Sequence, residues 1–319
     1  AGSLIQALVA RLLYACSLLL AVLLLVFVAT QWLPGSAAQA LLGQSATAES
    51  VAALEHAMGL DLPVWQRMLQ WLTQLLQGDF GRSYISNQPV WLELAPRLGN
   101  SLTLAGSVAI FAIPLSLGLA LLSVRYQGSV LDRVLASFTR ITVALPEFFT
   151  GYLLMLLLSV QLAWLPSSAI IHPGMGSAAF LEASVLPALV LTLAIAGHIA
   201  GMARAALVDT MGTPYIEMAQ IKGLSRWRIL LRHALPNTWG PIVNVVALNL
   251  AYLVVGAMVV EVIFVFPGVG QYMVDSVLKR DMPAIQACAL VFGCIYIGLN
   301  TLADLIATAA NPRLRAGTS

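Results

Sequence analysis

Six runs in this sequence are long and apolar enough to cross a bilayer, and that restricts the chain to a narrow set of folds. Residues 12–30, after a lone Arg11, are nearly all Leu, Val and Ala. A hydrocarbon core of about 30 Å needs about 20 such residues as a helix. Five further runs follow at about 98–124, 134–162, 185–207, 241–264 and 284–309. Inside lipid each backbone group must be satisfied within the segment, so these runs are read as helices. The composition agrees: 60% of residues are hydrophobic and 9% charged, against about 25% charged in a soluble domain. The expected class is therefore an all-α integral membrane protein with six transmembrane helices. Residues 12–30 exceed a signal-peptide core and lack a clear small-x-small cleavage pattern, so a retained span is expected. A net charge of +2 gives no basis for nucleic-acid binding. Cys16, Cys288 and Cys294 all fall in apolar segments, with no spacing that suggests a disulfide framework or a metal site.

Between the fourth and fifth runs lies a stretch with too many charges for lipid. Residues 213–236 read TPYIEMAQIKGLSRWRILLRHALP. Thr213 offers an N-cap hydroxyl and Pro214 a first helical residue. Glu217 lies in the first turn, where the helix dipole favours an anion. Gly223 can end that helix in a left-handed conformation, and Ser225 can cap a second helix over 226–235 that Pro236 closes. Two short helices joined at a glycine then carry Lys222, Arg226, Arg228, Arg232 and His233. This is read as a protruding hook that another protein grips; the plainer reading is a basic loop retained by the positive-inside rule.

Lys and Arg set the orientation. With the N-terminus inside, Arg11, Arg125, Arg133, Arg140, Arg204, Lys222, Arg226, Arg228, Arg232, Arg313 and Arg315 are cytoplasmic. Arg67, Arg82, Arg97, Lys279 and Arg280 fall outside. The excess places both termini and the hook in the cytoplasm.

The external residues 31–97 are too polar to span. Residues 48–58 read as a short helix ended by Gly59. Asp61 is expected to cap another, with Pro63 near its start, Trp65, Met68, Leu69, Leu72 and Leu76 as its apolar face, and Gly78-Asp79-Phe80-Gly81 as its end. This segment is read as a small cap packed on the membrane helices, or as a platform for delivered substrate.

The hook resembles the EAA loop of ABC-importer permeases: Glu-Ala-Ala, three residues, Gly, nine residues, then Ile-x-Leu-Pro. Here the pattern is Glu217-Met218-Ala219, Gly223 and His233-Ala234-Leu235-Pro236, with departures at Met218 and His233. His-Ala-Leu-Pro-Asn resembles the dipeptide, oligopeptide and nickel branch. So do Met58-Gly59-Leu60-Asp61-Leu62-Pro63, Gly78-Asp79-Phe80-Gly81-Arg82-Ser83 and Pro89-Val90. Glu261-Val262-Ile263-Phe264-Val265-Phe266-Pro267-Gly268-Val269-Gly270 followed by Arg280-Asp281-Met282-Pro283 is similar to that branch's Glu-x-Ile-Phe-x-x-Pro-Gly-x-Gly and Arg-Asp-x-Pro.

The resemblance implies the type I ABC-importer permease fold in a bacterial inner membrane, with a periplasmic segment after the first helix. It implies a first helix within 1–30, a periplasmic segment 31–97, a five-helix core 98–309 holding a coupling loop 209–238, and a cytoplasmic tail 310–319. The loop would insert into a cytoplasmic ATPase, with Tyr215, Glu217, Ala219, Lys222, Gly223, Leu224, Arg228 and His233 as the coupling set. Partners would be a second, homologous permease subunit, two ATPase subunits that use ATP and Mg, and an external substrate-binding protein. No cofactor is expected on this chain. The long external segment after a very short N-terminus matches the first of the two permeases.

Isolated polar residues within the runs supply candidates for a gate or path. Glu147, beside the break at Leu145-Pro146, is expected near the cytoplasmic entrance and paired with Arg140, or in contact with substrate. His198, flanked by Gly197 and Gly201, is expected to be a hydrogen-bonded packing residue, or part of the path. Glu261, before the helix-breaking Pro267-Gly268, is expected to anchor an outer gate by charge pairing with Arg280 or a partner. Asp304 is expected to pair with an arginine near Asn311-Pro312-Arg313-Leu314-Arg315. Asn244, Asn249 and Asn300 would bridge helices or line a wet cavity.

A P-loop needs Gly-x-x-x-x-Gly-Lys-Ser/Thr, and neither of the two lysines, Lys222 and Lys279, follows a glycine. ATP hydrolysis would then belong to partner subunits, and the chain is not expected to be an enzyme. The favoured function is a permease for di- and oligopeptides working by alternating access. A nickel or metal-chelate importer is the alternative within the class. A secondary transporter would show inverted repeats, and an intramembrane hydrolase a Gly-x-Ser-x-Gly nucleophile; the sequence shows neither.

Overall fold

A computed structural model describes residues 2–32 and 35–310. Its thirteen α-helices run in the order α1 Gly2–Gln31, α2 Ala37–Leu42, α3 Ala48–Ala57, α4 Val64–Leu76, α5 Val90–Arg125, α6 Val130–Ala144, α7 Glu147–Leu154, α8 Ser177–Met211, α9 Pro214–Ile221, α10 Arg226–Ile229, α11 Leu235–Ile263, α12 Val269–Lys279 and α13 Met282–Ala310. By length and composition five helical stretches can cross a membrane: Val9–Gln31 in α1, α5, α8, the continuous stretch Arg226–Ile263, and Met282–Ile306 in α13. The expected third span is a sixth only as a broken one. α6 and α7 meet at 106°, because Leu145 is forced into an extended conformation before Pro146.

α5, α8 and α11 form the centre. Leu104, Val108 and Ala112 pack against Leu186, Val190, Leu191, Ile195 and Ile199, and against Leu253, Ala257 and Val260. Lipid tails are as apolar as these side chains, so close packing and polar contacts, rather than exclusion from water, hold the helices together. One such contact escaped the sequence reading. Asp132, at the start of α6, accepts from Arg204 of α8 at 3.0 and 3.1 Å, from the Gly128 amide at 2.9 Å and from the Ser123 hydroxyl of α5. The pair ties three helices, and Asp132 is buried. The Ser129 N-cap three residues before Asp132 was the available signal.

Pro236 does not close the second helix of the hook. A π-helical stretch, Leu230–Ala234, carries α10 into α11. The wider turn accommodates the proline ring, which in an α-helix would clash with the carbonyl four residues back. Asn249 and Asn300 donate to Val245 and Tyr296 of their own helices, at 2.8 and 3.0 Å, rather than bridging helices.

The cap over 35–89 differs from expectation in two respects. α3 and α4 do end at Gly59 and Gly78, each closed by the paired amide bonds of a Schellman turn. However, Pro63 occupies the N-cap of α4, and Asp61 instead contacts His56 Nδ1 at 2.6 Å. The buried face of α4 is also rotated. Met68, Trp71, Leu72 and Leu75 pack on Leu23 and Phe27 of α1, with Trp71 stacked on Phe27 at 5.5 Å. Trp65, Leu69 and Leu76 are exposed. The hydrophobic run offers two candidate stripes, and docking on α1 selects between them.

Two predictions follow from these polar contacts. Asp132→Ala removes the acceptor shared by Arg204, the Gly128 amide and Ser123 and is expected to cost about 1–3 kcal/mol, measured as a lowered unfolding temperature in detergent, with Asp132→Asn less damaging. The hydrogen bond to Asp61 raises the His56 pKa above 6.5 and that to His56 lowers the Asp61 pKa below 3.8. The contact is complete between those two values, weakening as pH rises through the folded His56 pKa or falls through that of Asp61. Titration of the His56 ring by NMR should show a raised midpoint that Asp61→Asn returns towards 6.5.

Candidate functional site

Three places gather the residues singled out in the sequence: the hook, the turn after α11, and the bend between α6 and α7.

The hook begins where α8 ends at Met211. Thr213 takes the N-cap position of α9, but its hydroxyl donates to the Thr210 carbonyl at 2.6 Å rather than capping; the end of α8 needs a donor as much as α9 needs an acceptor. Gly223 has φ +75°. Its amide bonds Gln220 O at 2.9 Å, and that of Leu224 bonds Ala219 O at 3.3 Å, completing another Schellman turn. Ser225 then caps α10 through the Arg228 amide.

The hook has two faces. Ile216, Ala219, Ile229, Leu230 and Ala234 are buried against Ala120 and Val124 of α5, Ala203 and Leu207 of α8, and Ile242 of α11. Arg226 Nη2 donates to Val124 O at 3.1 Å, and Tyr215 Oη to His233 O at 3.4 Å. The opposite face carries Tyr215, Glu217, Lys222, Gly223 and Arg228, all exposed. Ala219, Leu224 and His233 belong to the seating rather than the outer face: Ala219 is buried and the other two half-buried. The sequence reading missed Met218 and Ile221, which with Tyr215 form an exposed apolar ridge; Ile221 is 78% exposed. The spacing 215, 218, 221, set opposite 216 and 219, was the signal.

The turn after α11 is built on Glu261. This side chain is 1% exposed and therefore needs partners. Ser101 of α5 donates to its Oε1 at 2.5 Å, and the Gly270 and Gln271 amides donate to Oε2 at 2.7 and 3.3 Å. The carboxylate thus sits at the N-terminus of α12, where orphan amides and the helix dipole favour an anion. Ser101 also accepts from the Val269 amide at 2.9 Å, and Asn100 donates to Pro267 O at 3.0 Å. The expected pairing of Glu261 with Arg280 is not formed. Arg280 ends α12 in a left-handed conformation, with its guanidinium against Gly35. Glycine is required in this motif for space: a Cβ at Gly268 would overlap the Glu261 carboxylate, and one at Gly270 would come within 2.5 Å of Met258 Cα.

Two motifs far apart in sequence meet beside this turn. Asp281 accepts from the Ser83 hydroxyl, and from the Tyr84 amide at 3.0 Å. A Cβ on Gly81 would touch Pro283. Tyr272 donates to Glu93 Oε2 at 2.9 Å beneath Arg97. Burial and the neighbouring carboxylate push the Tyr272 phenol up, so it stays a donor.

The bend at 145–147 brings Glu147 and His198 to one cavity, with Tyr252 of α11. Glu147 does not pair with Arg140 among the described residues. The bend puts the two residues on different helices, and Arg140 Nε donates to Ala136 O at 3.2 Å. His198 lies about 20 Å along α8 from Met211, at about 1.5 Å per residue. It is exposed and makes no hydrogen bond among the described residues, so it is not the packing residue expected. Gly197 does allow close approach, since a Cβ there would overlap Thr142 of α6; Gly201 has no neighbour that close. Asn311, Pro312, Arg313, Leu314 and Arg315, the expected partners of Asp304 among them, lie outside the described residues.

These features match one family of known proteins. The model of the "binding-protein-dependent transport system inner membrane component" matches residues 112–316, and that of the N-terminal region of such membrane components matches residues 4–105. The chain belongs to this family of inner membrane transport permeases. The permease is 34% identical over 305 residues to the glutathione transport system permease protein GsiC of Salmonella typhi, covering 96% of this chain and 97% of the relative. It is 32% identical over 305 residues, with the same coverage, to a Brucella abortus protein provisionally named as a peptide transport system permease. Its fold matches a chain of the MetNI methionine ABC transporter in an inward-facing conformation, with a TM-score of 0.58 and 17% identity, covering 70% of this chain and 98% of that one. The permease thus has the type I importer fold and is a multi-pass component of the inner membrane.

Gly270→Ala pushes a methyl group into the backbone of α11. It is expected to destabilise the permease by about 1–3 kcal/mol, read as increased protease sensitivity near residues 264–270 in detergent. Gly268→Ala should do less harm in a Glu261→Ala background than alone, because the group it strikes is then absent.

Proposed function

We propose that this permease is the first of two homologous membrane subunits of an ATP-driven importer for di- and oligopeptides. Substrate passes from an external binding protein to the cytoplasm while two ATPase subunits, using ATP and Mg, act on the hook. In this reading both termini and residues 209–238 are cytoplasmic, and residues 31–97 face the binding protein. The core at 98–309 lines a path shared with the second subunit. Peptide as cargo is supported by the names of the relatives that match nearly the whole chain.

One observation carries the coupling role: the hook is fixed on its inner face and free on its outer face. Its buried face joins α5, α8 and α11, so a displacement of the hook moves three central helices together. Its outer face offers Tyr215, Met218 and Ile221 with Lys222 and Arg228 at the rim, an apolar centre with a charged margin as in protein interfaces. Glu217, at the first turn of α9, stabilises the helix that presents them.

The test is Gly223→Asp. Gly223 has open space around it but φ +75°, so a side chain costs about 1–2 kcal/mol and places a charge on the outer face. The variant should insert normally, lose most ATPase co-purification and lose ATP-dependent peptide uptake. Retention of both activities would refute the coupling role.

A further inference from the structure

At the bend, ionisable groups from three helices line one cavity without partners of their own among the described residues. Glu147 from α7, His198 from α8 and Tyr252 from α11 line a space of about 310 Å³. Pockets for small organic ligands begin at about 300 Å³. Glu147 makes no hydrogen bond or ion pair among the described residues, whereas Glu261 and Asp132, the buried carboxylates of α11 and α6, are fully engaged. Tyr252 is 55% exposed and His198 is exposed. Ionisable groups this far along a membrane helix are costly against lipid, and they face protein or a watered cavity instead.

The surrounding sequence makes room for this arrangement. Gly256 of α11 lies beneath the Glu147 carboxylate, and a Cβ there would approach its Oε1 to 2.8 Å. Gly197 draws α6 onto α8 immediately beside His198. Around the polar groups, Val143, Phe148 and Val259 supply an apolar wall.

We infer that this cavity is a substrate subsite on the transport path, taking the cationic amino end of a peptide. The inference rests on the proposed function. Glu147 accepts from the ammonium group, a charge-assisted bond. His198 and Tyr252 offer donors to the first peptide carbonyl, and the apolar wall receives the first side chain. A single carboxylate with no basic neighbour engaged to it fits a monocation.

The experiment uses the complete complex in proteoliposomes, with a benzophenone amino acid replacing Val259 and a radiolabelled tripeptide bearing a free amino end. ATP-driven accumulation of the peptide in the unsubstituted complex tests the proposed function separately; its absence sinks that reading, and this one with it. Given accumulation, illumination should yield a peptide adduct on this chain. Glu147→Gln should lower the adduct per transported peptide about tenfold, the loss expected for one charge-assisted bond, and Glu147→Asp should retain most of it. Equal yields with Glu147→Gln, or no adduct while peptide accumulates, would overturn the subsite. Loss of the second permease subunit from the Glu147→Gln complex would also overturn it, assigning the carboxylate to the subunit interface.

Discussion

A backbone that leaves helical geometry inside a membrane has to find its hydrogen bonds within the protein, and this permease does so at three places where its helices break or swerve. Beyond α11 the amides of α12 are held by Glu261 and Ser101. At the far side of the hook the helix runs unbroken past Pro236, because a π-helical stretch carries α10 into α11. At the start of α6, Asp132 and Arg204 fix a turn that leads to the bend. These local solutions set where α5, α8 and α11 stand, and so where the outer turn, the cavity and the hook lie.

The consequence is a division of labour along the core. The end at α12 is cross-linked: Glu261, the Ser83–Asp281 contact and the Tyr272–Glu93 bond join segments distant in sequence. The opposite end is a packed seat for the two helices of the hook, made of small and branched apolar side chains. Between them lies the bend, where two glycines make space and Glu147 and His198 have no partners among the described residues. In the proposed importer, a rocking movement between the two packed ends would be accommodated there.

Much of this was legible in the sequence, for physical reasons. Long apolar runs have few alternatives in water or lipid, so five spans and a broken sixth were recoverable. Gly59, Gly78 and Gly223 punctuate helices because a left-handed residue strongly favours glycine, and all three do so here. The hook was visible because charge interrupts hydropathy. What failed depended on pairing across helices. Asp61 read as a cap and found His56; Glu261 read as a partner for Arg280 and found backbone amides; Glu147 read as a partner for Arg140 and turned away at the bend. The apolar face of α4 was misjudged because Trp65 and Trp71 lie on different stripes, and only docking on α1 chooses between them. Asp132–Arg204 was missed because the two residues are far apart in sequence and an arginine at a span's end already had an explanation in orientation.

The central claim is that the hook is gripped from the cytoplasm through its apolar ridge. Replacing Ile221 with cysteine in a chain lacking Cys16, Cys288 and Cys294, and applying a short bifunctional thiol reagent to native membranes, tests it directly. The account predicts one cross-linked product between this permease and its ATPase, with residue 221 protected from a membrane-impermeant thiol reagent added outside. Labelling of residue 221 from the periplasmic side, with no ATPase product, would contradict it.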